Sequence, residues 1–481
     1  MNAERRATGI AGLDEVLGGG LPAARSVLVA GRPGSGKTVL LNEFIYRGIS
    51  VHDEPGVFVS FEQPASEIIA EVGSFGWDYR ALIDQGRLAI LDMSPSETEV
   101  AAQGRLDLSP IRARIVRAVE RLGAGRVAID GISNLFQRYT DAAEIRRVMH
   151  FLLDDLKRVG CTPMMSAEVR GDSGTETRHG FEEYLTDGAI LLTSRVGENR
   201  IRRDLAVTKL RGAAYRSGKV EYEITSSGFI CYPKVPLNLD VAETDLADRK
   251  TFGVPGLDTM LGGGIPRGHV VLLGGNTGAG KSILAMHFLE AGLRAGERGI
   301  WVGLEEPVPQ VLKNAGALGL DFRKHQGDGN LTFVTEPPLD LSPDRLLYRI
   351  LEVIERGGAE RLVIDSASNL ESSSLSREHV REILIQLSGI CKVRGITCVL
   401  TYVNAATFGA ASNQLLGGQT TNEMRLSSIV DAIILLRYVE RAQAIKKFVT
   451  VLKLRGSAHD KGIFELEVGP NGASVGKRFE A

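Results

Sequence analysis

Two glycine-rich segments of the sequence have the spacing of phosphate-binding loops. GRPGSGKT occupies Gly31–Thr38, and GGNTGAGKS occupies Gly274–Ser282. In the pattern G-x-x-x-x-G-K-[ST], glycines let successive backbone N–H groups turn onto phosphate oxygens, and the following helix adds the positive end of its dipole. We therefore predict that both segments bind a nucleoside triphosphate. The residues expected to contact it are Gly31, Gly34, Ser35, Gly36, Lys37 and Thr38 in the first loop, and Gly275, Thr277, Gly278, Ala279, Gly280, Lys281 and Ser282 in the second.

The two loops belong to a long internal repeat. Gly31 and Gly275 differ in number by 244, and the same offset relates Gly12-Leu13-Asp14 to Gly256-Leu257-Asp258. It also relates KLRG at Lys209–Gly212 to KLRG at Lys453–Gly456. Since a chance motif would not recur at the same place in a repeat, the sequence predicts two copies of one nucleotide-binding domain.

Each half contains the groups that phosphoryl chemistry needs. The lysines, Lys37 and Lys281, are expected to reach the β- and γ-phosphates and to take part in catalysis. Hydroxyl and carboxylate oxygens are ligands that Mg²⁺ prefers. The predicted Mg²⁺ ligands are Thr38, Asp130, Ser282 and Asp365, and both aspartates end apolar runs, RVAID and RLVID. A helix-capping role is the alternative for the aspartates.

Two glutamates also end apolar runs, Glu62 in FEQP and Glu305 in LEEP. We expect each to end the strand beside the phosphate-loop strand and to activate a water or a hydroxyl as a general base. Glu305 is followed by Glu306 where the first half has Gln63, and repulsion between adjacent carboxylates is expected to raise one pKa. Glu306 is therefore a further candidate catalytic residue. An exposed strand end is the alternative for these glutamates.

The KLRG segments lie far along the sequence from the loops. Lys209 and Arg211 are two residues apart, as are Lys453 and Arg455, so on a strand each pair faces one side. Two cations on one face suit the γ-phosphate of a neighbouring subunit. We expect all four to help bind the triphosphate in this way, with a solvated edge strand as the alternative.

Short apolar runs alternate with helical segments along each half. Ser26–Ala30 and Val270–Leu273 lead into the loops, and helical patterns cover Ala143–Val159 and Arg377–Val393. This alternation predicts an α/β fold of two tandem domains, each a mostly parallel sheet flanked by helices. Ligands then bind at the carboxyl ends of the strands. The predicted boundaries are a first domain over 1–235, a linker over 236–250, a second domain over 251–468 and a short, partly disordered tail over 469–481.

Composition narrows the class of protein. The chain has 481 residues and a net charge of −2, so no overall attraction to nucleic acid or to an acidic membrane is expected. The four cysteines show no C-x-x-C spacing, which is typical of buried thiols in a reducing compartment. The N-terminus has no signal-peptide pattern, and no apolar run is long enough to span a membrane. The expectation is a cytoplasmic protein.

These segments resemble the KaiC family within the RecA-like superfamily. The resemblance covers essentially the whole chain, and it rests on GLDEVLGGGLP and GLDTMLGGGIP, both phosphate loops, FEQP and LEEP, SFGWDYRALIDQGRLAILD, both KLRG segments and RGSAHDKG. It implies two RecA-like domains that bind ATP between subunits of a two-tiered homo-hexamer, with Mg²⁺ at the sites. It further implies slow ATP hydrolysis in the first tier and autophosphorylation in the second, in a clock-type signalling protein with protein partners.

The family's phosphoacceptors are two adjacent hydroxyl residues in the second domain. The matching positions are Ser427 and Ser428, and at the offset of 244 the first half has Glu183 and Tyr184 instead. The resemblance therefore implies that only the second domain is phosphorylated. Two serines that merely begin a buried strand are the alternative.

The sequence departs from the family pattern at two places. The chain ends at Ala481, shortly after the region where clock-type members continue into a long tail that docks KaiA, which makes tail docking of this type doubtful. Ser372 stands where the second domain of the family has an arginine.

Two other classes of function stay open. One is a DNA-handling RecA-like motor, for which only RIRR at Arg200–Arg203 forms a basic cluster, and the other is a scaffold whose nucleotide occupancy sets partner binding.

Overall fold

A computed structural model describes residues 4–93, 109–134, 142–170, 176–177, 182–196, 201–234, 246–337, 341–373, 377–403, 428–441, 444–470 and 472–479 of the chain. The chain divides into two compact units, Met1–Lys234 and Val235–Ala481. None of the helices in the described ranges is long and apolar enough to cross a membrane.

The first unit contains a phosphate-loop strand and helix within a large α/β sheet. Its helices are α1 (Leu13–Val16), α2 (Lys37–His52), α3 (Ala65–Gly73), α4 (Tyr79–Asp84), α5 (Ser109–Leu122), α6 (Ala142–Arg158) and α7 (Glu182–Leu185). Its strands are β1 (Arg5–Arg6), β2 (Leu21–Pro22), β3 (Val27–Gly31), β4 (Gly56–Ser60), β5 (Leu88–Asp92), β6 (Arg126–Asp130), β7 (Thr162–Arg170), β8 (Glu176–Thr177), β9 (Gly188–Val196), β10 (Ile201–Leu210), β11 (Lys219–Thr225) and β12 (Gly228–Tyr232).

The second unit repeats these elements. Its helices are α8 (Pro255–Met260), α9 (Lys281–Arg294), α10 (Val308–Ala317), α11 (Phe322–Gly327), α12 (Pro343–Gly357), α13 (Ser368–Ser373) and α14 (Arg377–Arg394). Its strands are β13 (Arg249–Lys250), β14 (Ile265–Pro266), β15 (Val270–Gly275), β16 (Gly299–Gly303), β17 (Leu331–Thr335), β18 (Arg361–Asp365), β19 (Thr397–Val403), β20 (Ala432–Arg441), β21 (Ala444–Leu454), β22 (Phe464–Gly469) and β23 (Gly472–Arg478).

Both units have the same strand order. The described part of the first sheet runs β5-β4-β6-β7-β3-β9-β10-β11-β12, and that of the second runs β17-β16-β18-β19-β15-β20-β21-β22-β23. The pairs from β5 to β9 and from β17 to β20 are parallel, and the remaining pairs along each order are antiparallel. The predicted α/β class with mostly parallel sheets is confirmed.

The central strands are buried on both faces, which explains their continuous apolar runs. In β3, Val27 and Val29 pack with Phe44 of α2, whereas Leu28 packs on the opposite face with Met149 of α6. Each sheet therefore separates two hydrophobic cores. The phosphate-loop helix lies over one face of the sheet and other helices cover the opposite face.

Three predictions about the chain's organisation differ from the structure. The strand ahead of Glu62, β4, does not lie beside the phosphate-loop strand, because β7 and β6 stand between them. The expected tail is not disordered over 472–478, since β23 pairs with β22. At the end of the expected linker, Arg249–Lys250 pairs with Ile265–Pro266. Pairing between strands decided these cases, and the order in which strands pair is not written in the sequence of each strand.

A buried arginine joins three elements in each unit. Arg126, at the start of β6, donates to the Phe44 carbonyl of α2 and to the carbonyls of Ala7 and Thr8, and its Nε lies 2.7 Å from Glu54 Oε2. Arg361 repeats this arrangement with Phe288, Thr251 and Glu297. The guanidinium groups lie 4.8 Å and 4.6 Å from the ring centroids of Phe44 and Phe288. The arginine thereby fixes the helix against the strand.

Close packing of this arginine requires a glycine inside the helix. A Cβ at Gly48 of α2 would overlap Arg126 Cδ and Nε, and one at Gly292 of α9 would overlap the same atoms of Arg361. Glycine in a helix interior costs about 1 kcal/mol relative to alanine. Both helices retain a glycine at this position because a larger residue would occupy the space of the guanidinium group.

We predict that Gly48→Ala destabilises the first unit although it should raise the helix propensity of α2. Overpacking of this kind costs about 1–3 kcal/mol, and Arg126 cannot move aside without losing its hydrogen bonds. Gly73→Ala is the matched control, because a Cβ at this helical glycine would meet no atom within 4 Å. Urea denaturation should show a lower midpoint for Gly48→Ala and an equal or higher one for Gly73→Ala. A midpoint raised by Gly48→Ala would contradict the packing role.

The last strand of each sheet is hydrogen-bonded to the phosphate-loop helix. In the first unit, Phe229 N donates to the Glu43 carboxylate at 2.6 Å. In the second unit, Ala473 N donates to Nε2 of His287 at 3.0 Å. Donors and acceptors correspond at the offset of 244. The same bond therefore uses a carboxylate in one unit and a neutral imidazole in the other.

We predict that His287 makes the second unit less stable in mild acid. Burial lowers the pKa of His287, and Glu290 opposes this in part. The stabilisation that neutral His287 contributes is therefore complete above the unfolded-state pKa of about 6.5. It is lost as the pH falls through the lowered pKa of the folded state. His287→Gln keeps an acceptor and should reduce the fall in melting temperature between about pH 7.5 and about pH 5.5.

The control for this prediction is His150→Gln, since His150 is exposed. Its melting-temperature profile is the reference for a histidine that makes no hydrogen bond to the last strand. The melting temperature of His287→Gln should still depend on pH to some extent, because burial also lowers the pKa of His269. Identical pH profiles for the His287 and His150 variants would show that the bond to Ala473 has no part in the effect.

Candidate functional site

Each phosphate loop turns into its helix through glycines in the left-handed region. The φ angles are 76° and 89° at Gly34 and Gly36, and 78° and 107° at Gly278 and Gly280. Gly36 and Gly280 are the N-caps of α2 and α9. Other residues are strained at these angles. The glycines let the loop N–H groups face a common centre ahead of the helix.

Each loop lysine is hydrogen-bonded to backbone carbonyls at the start of its own loop. Lys37 Nζ donates to the carbonyls of Gly31 and Arg32, both at 3.0 Å. Lys281 Nζ donates to the carbonyls of Gly275 and Asn276, both at 2.9 Å. Burial lowers the pKa of both lysines, and nearby carboxylates oppose this shift. Each ammonium group is therefore placed to meet phosphate oxygens at the carboxyl end of the central strand.

The predicted Mg²⁺ ligands come together in the first unit. Thr38 Oγ1 donates to Asp130 Oδ2 at 2.8 Å, and Ser166 Oγ hydrogen-bonds to Asp130 Oδ1. In the second unit Thr401 takes the place of Ser166 and donates to Asp365, while Ser282 takes the place of Thr38 in the first turn of α9.

This donor set fits Mg²⁺, which usually has one or two protein ligands and completes its shell with phosphate oxygens and water. Across the described ranges, no group of three or more His, Cys, Asp or Glu residues could hold a metal without such help. A hydroxyl beside a carboxylate is therefore suited to a metal that arrives with the nucleotide.

The predicted general bases lie at the same edge. A Cβ on Gly131 would lie 3.3 Å from Glu62 Oε2, so Glu62 lies over the end of β6, next to Asp130. Partial burial raises the pKa of Glu62, and the carboxylates of Asp130 and Glu168 raise it further. Burial and then Asp365 raise the pKa of Glu305. A raised pKa makes each carboxylate a stronger base near neutral pH.

The residues after these glutamates exchange roles between the units. Gln63 donates to Glu71 at 2.8 Å in the first unit. In the second unit, Asn314 donates to Glu306 at 2.9 Å. Each unit therefore has one amide and one carboxylate in this pair. The Glu306 charge contributes to the raised pKa of Glu305, as expected, but it ranks below burial and Asp365.

The KLRG cations lie at the opposite end of the sheet from the loop of their own chain. Lys209 Nζ donates to the Thr186 carbonyl and Lys453 Nζ to the Val430 carbonyl. Arg455 contacts Asp431 and the Ser428 carbonyl at 3.3 Å and 3.2 Å.

Backbone bonds place this cluster at the start of the central strands. Asp187 N donates to the Ser26 carbonyl, Arg211 N to the Asp187 carbonyl and Asp431 N to the Val270 carbonyl. Strands of five and six residues, β3 and β15, separate these positions from the loops, which is at least about 17 Å. The cations therefore lie too far from the loop of their own unit to complete its site.

Of the two predicted phosphoacceptors, Ser428 is exposed next to this cluster. Ser427 lies outside the described residues. Ser428 is followed by the buried Ile429 and Val430, and β20 begins at Ala432.

Two features of the site were not apparent from the sequence. Ser35 is fully buried, and its Oγ has no hydrogen-bond partner in the described part of the chain. Its backbone N–H donates to the Arg32 carbonyl at 3.2 Å, as that of Ala279, at the matching position, donates to the Asn276 carbonyl at 3.2 Å. Glu168 lies on β7 and is paired in register with Gly31. It ends the apolar run before it, which is the signal that singled out Glu62 and Asp130.

The strand order and the position of the loops place both units in the RecA-like class of P-loop ATPases. The family model "ATPase: KaiC" matches residues 6–235 and 250–480. The circadian clock oscillator protein KaiC of Picosynechococcus sp. is 35% identical over 470 residues, covering 98% of this chain and 89% of the relative. That of Synechococcus elongatus is 35% identical over 472 residues with the same coverage. The chain therefore belongs to the KaiC family of ATPases.

We predict that the two adjacent glutamates of the second site differ in importance. Glu305→Gln should lower second-site turnover by about 10²–10⁴-fold, since it removes the base. Glu306→Gln should lower it less than about ten-fold, because a glutamine already occupies this position in the first unit and Asn314 keeps a partner. Both are measured as ATP turnover in a Glu62→Gln background. Equal losses of turnover in the two variants would show that Glu305 and Glu306 act together as the base.

Proposed function

We propose that the protein is a homo-hexameric ATPase and serine autokinase. In this proposal both sites bind ATP with Mg²⁺, the first site hydrolyses it, and the second transfers phosphate to Ser427, Ser428 or both. The observation that supports it most is that Arg455 and Ser428 lie together, at least about 17 Å from the phosphate loop of their own unit.

This placement favours sites that are shared between chains. A cation that cannot reach its own nucleotide can complete a neighbour's site, as arginine fingers do. Since Arg455 Nη2 lies 3.2 Å from the Ser428 carbonyl, the edge that supplies the arginine also supplies the serine. ATP bound between subunits would then promote assembly of the ring.

The residues present account for both reactions. In the first site, Glu62 takes a proton from water while the water oxygen bonds to the γ-phosphorus, and the bond to the β-phosphate oxygen breaks to leave ADP. In the second site, Glu305 takes the proton of a serine hydroxyl and the phosphoryl group remains on the serine. Lys37 and Lys281 meet the developing negative charge. Mg²⁺, when bound beside Thr38 or Ser282 and the nearby aspartate, supplies further charge neutralisation.

A clock-type signalling role follows from the same proposal. The relatives are named circadian clock oscillator proteins, and a phosphate adds about −1.5 to −2 charges at pH 7. Such a change beside Asp431 at a subunit boundary would alter the surface that a protein partner meets. The four cysteines are buried free thiols, which supports a reducing compartment, the cytoplasm.

The alternative of a DNA-handling motor has less support. Of the RIRR cluster, Arg202 and Arg203 are only partly exposed. Arg202 also lies 3.8 Å from the Glu221 carboxylate. The two described arginines of the cluster therefore do not form an open basic surface of the kind that binds nucleic acid.

We predict that phosphate transfer crosses the subunit interface. Subunits with Ser427→Ala and Ser428→Ala but an intact site are mixed with isotopically heavy subunits that have Glu305→Gln and both serines. Incubation with labelled ATP should phosphorylate the heavy chain in the mixture, because an active neighbour supplies the nucleotide. Mass spectrometry identifies the chain and the serine.

Each variant alone is the control and should acquire no label. An additional Arg455→Ala in the heavy chain should lower its labelling, because that chain supplies the arginine. If wild-type rings are labelled while the mixture is not, transfer occurs within one chain.

A further inference from the structure

We propose that Glu168 makes water the preferred attacking nucleophile at the first nucleotide site. The second site lacks a glutamate at this position, and a hydroxyl is therefore the preferred nucleophile there. This rests on the proposed function and explains how two copies of one domain come to favour different acceptors. Glu168 is then a specificity-determining residue of the first site.

Strand pairing places Glu168 beside the phosphate loop. It is the register partner of Gly31, on the strand adjacent to the loop strand. Side chains alternate along a strand, so Glu168 shares a face with Ser166, whose hydroxyl bonds to Asp130. Met164, on the same face, packs in the core that includes α2. Glu168 therefore points to the side of the sheet where Lys37 and Thr38 lie.

The electrostatic effects agree with this placement of Glu168. Among the carboxylates that oppose the lowering of the Lys37 pKa, Glu168 acts more strongly than Asp130 and Glu62. Glu168 also raises the pKa of Glu62. Glu168 therefore lies close enough to act on both Lys37 and Glu62.

The second unit has no carboxylate at this position. Val403 is the register partner of Gly275, and its backbone N–H bonds to Ser368 as that of Glu168 bonds to Ser133. The two residues therefore match in backbone position and differ only in side chain. The carboxylates that act on the Lys281 pKa are those of Asp365 and Glu305.

This difference matches the number of O–H bonds on each nucleophile. Water has two, so two carboxylates can orient it with a lone pair towards phosphorus, whereas a serine hydroxyl has one and needs one acceptor. As the water oxygen bonds to the γ-phosphorus, one proton passes to Glu62, and the other O–H stays hydrogen-bonded to Glu168 and leaves with inorganic phosphate. The bridging bond breaks and its electron pair leaves on ADP.

Substitution of Glu168 tests this role in the full-length protein with Glu305→Gln, so that turnover reports the first site. Glu168→Val, which copies the second unit, should lower kcat for ATP hydrolysis by about 10–100-fold. Glu168→Gln keeps one acceptor and should give an intermediate kcat. KM should not rise in either variant, because a negative charge near the γ-phosphate has been removed.

The reciprocal substitution Val403→Glu is made in a Glu62→Gln background, so that turnover reports the second site. It should raise the ratio of inorganic phosphate released to phosphate on serine by about ten-fold or more. Binding of a fluorescent ATP analogue and the melting temperature show whether each variant is folded.

The proposal is overturned if both Glu168 variants keep kcat within about two-fold of the parent, or if kcat falls only together with a rise in KM. An unchanged product ratio in folded Val403→Glu would also overturn it. If first-site hydrolysis in the parent does not depend on Glu62, the proposed function fails instead. The two failures are therefore distinguishable.

Discussion

A guanidinium group buried at the amino end of a central strand organises each half of the protein. Arg126 and Arg361 begin the strands that end in Asp130 and Asp365, and they donate to carbonyls of the phosphate-loop helices. The helix that supplies the lysine is thereby fixed against the strand that supplies the aspartate. Since a buried charge without a partner is strongly destabilising, the arginine also requires its glutamate, and it requires a glycine in the helix.

In each unit, the parallel sheet has two edges with different functions. The carboxyl edge collects the loop, the hydroxyl and carboxylate oxygens and the general base. The amino edge collects the KLRG cations around Asp187 and Asp431. Because the strands between them are stiff and buried on both faces, one unit cannot bring its own two edges together. In our proposal a second chain completes each nucleotide site, and this is the physical reason for linking catalysis to assembly.

The two halves differ by substitutions at matched backbone positions. A glutamate and a histidine accept the same backbone hydrogen bond at Glu43 and His287. Amide and carboxylate change places in the pairs Gln63–Glu71 and Asn314–Glu306. The second exchange keeps the charge of the pair, so the doubled glutamate of the second half is a weaker mark of distinct chemistry than the sequence indicates. The change from Glu168 to Val403 is different, since it removes a charge beside the loop lysine.

The sequence by itself determined the repeated α/β domains, the phosphate loops and the acidic residues that end apolar strands. These features depend on local spacing, glycine conformation and burial, all of which are written in neighbouring residues. Strand order depends on which buried edges meet. For this reason the sequence did not show that Glu62 follows a strand two places removed from the loop, that Glu168 lies beside the loop, or that 472–478 closes the second sheet. Only the tertiary structure decided these, because hydrogen bonds between strands and the packing of a buried arginine join residues that the local sequence does not relate to one another.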